Sequence, residues 1–227
     1  MHPARYAVAA STPDATNGEA VLHSASKTVL VLGDSLSAEY GLVRGTGWVP
    51  LLAQRVKAQQ RDAAIVNASI SGDTTSGGRA RLQALLTKHR PAIVVIELGA
   101  NDALRGLAIP ATEANMVEMI QASKKIGAKV VLLGMQIPPN YGADYARRFA
   151  GMYTKVAKNT GVTLVPFFLE GLQTRLDLFQ ADRIHPVAAA QPIMLDNVWP
   201  YLAPLLSRAA APAKQAAAKT DIAPTAK

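Results

Sequence analysis

The chain is predicted to adopt an α/β fold, a five-stranded parallel sheet with helices on both faces in a three-layer α/β/α arrangement. Three observations predict it. Short apolar runs alternate with segments of helical period along most of the chain. The alternation repeats at intervals of roughly 30 residues, the size of a right-handed βαβ unit. The runs are continuous rather than alternating, the pattern of strands covered on both faces.

The first strand is read at 28–32 (TVLVL), and Trp48, Leu51, Leu52 and Val56 then recur at helical spacing. The second is read at 64–70 (AIVNASI), followed by a helix carrying Leu82, Leu85 and Leu86. A third run, 92–98 (AIVVIEL), precedes a helical segment with Val117 and Ile120. The fourth, 129–134 (KVVLLG), leads into the clearest stripe, Tyr145, Phe149, Met152, Tyr153 and Val156. After the fifth, 162–168 (VTLVPFF), a last helical segment spans Ala188 to Leu206, with Pro192 and Pro200 expected to kink or divide it.

Composition narrows the functional classes. The chain has 227 residues, enough for one domain, with 49% hydrophobic residues and no cysteine. Disulfides, thiolate metal sites and cysteine nucleophiles are therefore excluded. The net charge of +8 is scattered, with pairs such as Lys124-Lys125 and Arg147-Arg148 as its tightest clusters. With no basic run interleaved by aromatics, no nucleic-acid partner is expected. No window approaches the ~18 apolar residues of a membrane span. Residues 1–26 and 209–227 are poor in large apolar side chains and read as flexible segments, leaving 27–208 as the folded domain. The first twenty residues carry one Arg and a short apolar patch, too little for a complete signal peptide.

In a parallel α/β sheet the ligand sits beyond the carboxyl ends of the strands. GDSLS (33–37) follows the first strand, SGDT (71–74) the second, GAND (99–102) the third, and DRIHP (182–186) lies beyond the fifth. Ser35, Gly72, Asn101, Asp182 and His185 thus fall at one rim. A serine hydroxyl is a poor nucleophile until a base takes its proton. Histidine suits that task near neutral pH and needs an acceptor to fix its other nitrogen. Asp182 stands three residues before His185, within reach if the segment makes one turn. The Ser35 and Gly72 backbone N–H groups and the Asn101 amide could hold an oxyanion. Of the other histidines, His2 and His23 lie in the N-terminal segment and His89 precedes Pro91 at a helix end. GxSxG, GxGxxG, the P-loop and HExxH are all absent, so neither a nucleotide cofactor nor a metal is expected.

These four blocks, in this order, resemble those of the SGNH (GDSL) hydrolases. The stretches VNASISGDTTSGGRARL, VVIELGANDALRG and PPNYG are similar to the bacterial group of multifunctional, arylesterase-like thioesterase I/protease I/lysophospholipase L1 enzymes. The resemblance covers about 28–205. It implies flavodoxin-like strand order and a cofactor-free serine hydrolase. It implies Ser35 as nucleophile, Asp182 as orienting acid, His185 as base, and Gly72, Asn101 and the Ser35 amide as oxyanion donors. Asp34 and Asp102 are read as structural. The chain departs from the family at Glu39 and Ala100, where Gly is frequent, and at Arg183, where a small residue is frequent. Glu39 and Arg183 are expected to point to water.

The expected substrate is a small-molecule acyl ester or thioester, including aryl esters and lysophospholipids. Ala103–Ala108 and Pro138–Gly142 are expected to line an acyl groove. A carbohydrate O-acetyl esterase of the same fold and a non-catalytic lipid- or ligand-binding module are the alternatives. A monomer is expected, and the resemblance points to the periplasm, with the cytoplasm as the alternative.

Overall fold

A computed structural model describes residues 27–206. The two segments expected to be flexible, 1–26 and 209–227, lie outside the described residues. Five strands form one sheet: β1 (Lys27–Gly33), β2 (Ala63–Asn67), β3 (Ile93–Glu97), β4 (Lys129–Leu133) and β5 (Thr163–Val165). Their order is β2-β1-β3-β4-β5, and every pair is parallel. This is the flavodoxin-like order, with its reversal point at β1 and β3.

Among the described residues, six helices cover the sheet: α1 (Trp48–Ala58), α2 (Thr75–His89), α3 (Ala100–Leu104), α4 (Ile109–Lys125), α5 (Ala143–Thr160) and α6 (Gln191–Leu202). Helices α1 and α6 pack together, while α2, α4 and α5 pack in series, forming the outer layers. Val29 to Leu32 and Val94 to Ile96 are wholly buried between the layers. Each such side chain stabilises the fold by about 1.5–3 kcal/mol relative to exposure. In α5, Phe149, Met152, Tyr153 and Val156 form the buried stripe, and Tyr145 is half-buried at its end.

The structure differs from the sequence reading in several places, beginning with β2 and β5, which end at Asn67 and Val165 rather than at 70 and 168. Strand β2 is not covered on both faces: its residues are half-buried or exposed. It is one of the two edge strands, so only β1 flanks it. The last helical segment is not divided at its prolines. Pro192 stands in the first turn of α6, where its missing N–H costs no internal bond. Pro200 falls in the last turn, and the chain runs on into a short 3-10 turn at Ala203–Leu205.

Candidate active site

The site begins where β1 ends. Ala38 N–H and Ser37 N–H both donate to the Asp34 carbonyl, at 2.9 and 3.2 Å, folding 34–38 into a tight turn. The turn needs Gly33, since a Cβ there would come within 2.7 Å of Glu97 Oε2 and 2.8 Å of Ser37 Oγ. Asp34 is buried, and its Oδ1 accepts from Leu36 N–H at 3.0 Å. The fold then separates the two serines of GDSLS. Ser37 is buried, donating to Glu97 Oε2 at 2.7 Å and accepting from Trp48 Nε1 at 3.0 Å. Ser35 is only half-buried and faces a cavity.

His185 arrives on a loop closed by an isolated antiparallel bridge between Phe179 and Pro186. Gln180 N–H donates to the His185 carbonyl at 2.7 Å, and Val187 N–H to Leu178 at 2.8 Å. Within the loop, Asp182 Oδ1 accepts from the N–H groups of Ile184 and His185 at 2.9 and 3.0 Å. This is the single turn that the spacing required. Asp182 Oδ2 lies 2.7 Å from His185 Nδ1, and His185 Nε2 lies 2.8 Å from Ser35 Oγ. With Nδ1–H donating to the carboxylate, Nε2 is the acceptor for the serine hydroxyl. The His185 backbone N–H, then the ring, then the Ile184 N–H hold the Asp182 carboxyl down to about 2. Asp182 is therefore charged throughout the range where the imidazole works.

The three proposed oxyanion donors are distributed unequally. Asn101 lines the cavity from the first turn of α3, and one Nδ2 hydrogen goes to Asp34 Oδ2 at 3.0 Å. The other remains for a ligand. Neither the Ser35 nor the Gly72 backbone N–H donates to any described residue. Gly72 has φ +79°, a conformation that favours glycine, and its carbonyl accepts from Arg105 Nη2 at 2.9 Å. It is not among the residues lining the cavity. Ser35, Asn101 and His185 share that cavity, and Asp182 stands behind His185.

The cavity measures about 650 Å³ and is mainly apolar. Of the loops expected to line it, Leu104, Pro138 and Tyr141 do so, but residues 105–108 do not. The wall is completed by Met135 and Ile137 after β4, and by Phe167, Leu169 and Leu176 after β5. A second depression of about 480 Å³, beside Ala38, Val49 and Asn67, holds none of Ser35, Asp182 or His185.

Of the two charged departures at the rim, the structure corrects one. Glu39 does not point to water: its Oε1 accepts from Gly45 N–H and Gly47 N–H, each at 2.8 Å, fastening the loop before α1. Arg183 is exposed to solvent, as expected, and is also among the residues lining the cavity. Asp102 is structural as expected, accepting from the Thr75 N–H at 2.8 Å and from the Thr75 hydroxyl at the start of α2.

Three contributors were missed from sequence. Glu97 is wholly buried beneath the turn that carries Ser35 and also accepts from Asp34 N–H at 3.2 Å. A lone carboxylate inside the apolar run AIVVIEL was its visible signal. Tyr40 lies against the His185 ring, with centroids 4.4 Å apart and planes tilted by 39°. Gln180 Nε2 ties the histidine loop to the Tyr40 carbonyl at 2.9 Å. Nothing local marks these two.

The profile of the GDSL-like lipase/acylhydrolase family matches residues 31–192. The chain belongs to this family. Esterase TesA of Pseudomonas aeruginosa is 53% identical over 183 residues, covering 81% of this chain and 91% of that protein. The arylesterase of Vibrio mimicus is 45% identical over 174 residues, covering 77% and 87% respectively. The crystal structure of TesA superposes with a TM-score of 0.77, covering 79% of this chain and 99% of that one. The psychrotrophic esterase EstA from Pseudoalteromonas sp., in a structure inhibited by monoethylphosphonate, superposes with a TM-score of 0.76 at 40% identity, covering 79% and 98%.

Proposed function

We propose that this GDSL-like acylhydrolase cleaves carboxylic ester and thioester bonds through an acyl-Ser35 intermediate. The observation that carries the reading is the continuous chain Ser35 Oγ, His185 Nε2, His185 Nδ1, Asp182 Oδ2, with spacings of 2.8 and 2.7 Å, opening on an apolar cavity. His185 takes the Ser35 proton as the hydroxyl attacks the acyl carbonyl. Charged Asp182 holds the ring and stabilises the imidazolium. The Ser35 and Gly72 N–H groups and the free Asn101 amide hydrogen receive the oxyanion. His185 then returns the proton to the departing alcohol or thiol, and water activated by the same ring releases the acid.

The names of the relatives, an esterase and an arylesterase, support this class of reaction. The phosphonate inhibitor of EstA fits it too, since a tetrahedral phosphonyl group imitates an acyl-transfer intermediate. A cavity of about 650 Å³ lined by Leu104, Ile137, Phe167 and Leu176 suits an extended acyl chain better than an acetyl group. The reading includes a monomer. It also includes a periplasmic location, which fractionation of cells would test. No helix among the described residues is long and apolar enough to cross a membrane.

A fluorophosphonate probe is expected to label Ser35 stoichiometrically, read by mass spectrometry of the peptide. An unlabelled Ser35 in protein of native stability would overturn the hydrolase reading and favour a binding module. Asn101→Ala is expected to lower kcat on p-nitrophenyl esters by about 10²-fold with little change in KM, the pattern of a lost oxyanion donor. A change in KM alone would remove Asn101 from that role.

A further inference from the structure

We infer that Arg183 is a specificity-determining residue that binds a phosphate carried on the leaving group of the substrate. The inference rests on the acyl-serine reading above. Arg183 occupies the second position of Asp182-Arg183-Ile184-His185 with φ +57°, a left-handed conformation that a side chain adopts at a cost. A glycine would sit there without strain, yet this chain places an arginine. The residue borders the cavity that contains Ser35 and His185 and is exposed to solvent there. Its guanidinium makes no hydrogen bond or ion pair with any described residue.

Nearby cations are otherwise engaged. Arg175 is paired with Asp177 at 2.7 Å, and Arg105 donates to the Gly72 carbonyl. Among the described residues lining the cavity, Arg183 is the only arginine or lysine. Asp34, the carboxylate of that lining, is buried, accepts from Leu36 and Asn101 and makes no ion pair with Arg183. An unpaired planar fork of donors beside an apolar trough is built for an oxyanion of a ligand.

Position decides which part of the substrate carries that anion. His185 must hand its proton to the departing oxygen or sulfur, so the leaving group stands on the histidine side of the scissile bond. Arg183 belongs to the same short loop, two residues away. The apolar wall of Leu104, Ile137, Phe167 and Leu169 takes the acyl chain, where an anion would be desolvated without a partner. The phosphate therefore lies on the alcohol or thiol. Acyl esters of a glycerol phosphate and acyl thioesters of a phosphorylated thiol share this chemistry.

Matched substrate pairs test the proposal. Octanoyl-coenzyme A against octanoyl-N-acetylcysteamine probes the thiol, and 1-acylglycerol 3-phosphate against 1-monoacylglycerol probes the alcohol. p-Nitrophenyl glutarate against p-nitrophenyl pentanoate places a negative charge on the acyl side as a control. Arg183→Gln and Arg183→Gly are each expected to lower kcat/KM about tenfold, through KM, on the phosphorylated member of one or both leaving-group pairs. The neutral members and the acyl-side pair are expected to change less than twofold. The affected pair identifies the source of the phosphate, and the wild-type preference is expected to weaken as salt rises. An equal loss on charged and neutral substrates, or an effect confined to the acyl-side pair, would overturn the proposal. Turnover of the neutral thioester by the wild type tests the hydrolase reading separately.

Discussion

Ser35→Ala is expected to lower kcat on p-nitrophenyl esters by about 10³-fold or more while changing stability by less than about 1 kcal/mol. The two halves of this result have different causes. The Ser35 hydroxyl donates to His185 Nε2 on a half-buried surface open to the cavity, so its loss leaves no buried group unsatisfied. Ser35 is the only serine or threonine among the described residues lining the cavity. Ser37→Ala serves as the contrast. It removes a buried hydroxyl that joins Glu97 Oε2 to Trp48 Nε1, so its main effect is expected on stability, by about 1–3 kcal/mol. Urea unfolding and ester turnover of both variants check the assignment. Activity retained in Ser35→Ala, or lost in Ser37→Ala at unchanged stability, would move the nucleophile from one serine to the other.

The contrast shows which parts of the site a sequence can reveal. Ser35, Asn101 and His185 were legible because each lies in a segment following a strand of a parallel sheet, and the topology gathers those segments at one rim. Asp182 was legible because its contact with His185 spans three residues. Glu39 was misread because its partners, the N–H groups of Gly45 and Gly47, belong to a turn whose path no periodicity describes. Tyr40 and Gln180 escaped notice for a related reason: their contact joins parts of the chain separated by 140 residues. The covering of β2 depended on strand order, since the same apolar run would be buried at the centre of the sheet. The cavity wall after β5 was missed because it comes from an irregular segment, Phe167 to Phe179, with no pattern of its own.

Glu97 was the clearest signal left unused, and its replacement gives the second large expected effect. Glu97→Leu is expected to destabilise the fold by about 2–4 kcal/mol and to lower kcat, whereas Glu97→Gln is expected to keep most of both. Leucine removes the acceptor for Ser37 Oγ–H and Asp34 N–H beneath the turn that presents Ser35. Glutamine preserves that acceptor as a carbonyl. Burial first, then the neighbouring Asp34 charge, pushes the Glu97 carboxyl well above the ordinary glutamate range, so the residue serves as a neutral acid. Burial likewise raises Asp34 to about 6, against hydrogen bonds from Leu36 and Asn101 that lower it. The sign of the pH dependence follows. An acid whose folded pKa exceeds its unfolded value of 3.8 binds more protons in the folded state, so its contribution to stability declines as pH rises from about 4 through about 6. Above that range Asp34 is charged, and any ionisation of Glu97 sets two carboxylates against each other under the nucleophile. Glu97→Gln removes the second charge, and its stability relative to wild type is expected to increase as the medium becomes alkaline. Urea unfolding of wild type, Glu97→Gln and Glu97→Leu between pH 5 and pH 9, with kcat measured alongside, separates the cases. If Glu97→Gln is destabilised as much as Glu97→Leu, Glu97 acts as a charged group. If both keep full kcat, the nucleophile turn does not depend on the acid beneath it.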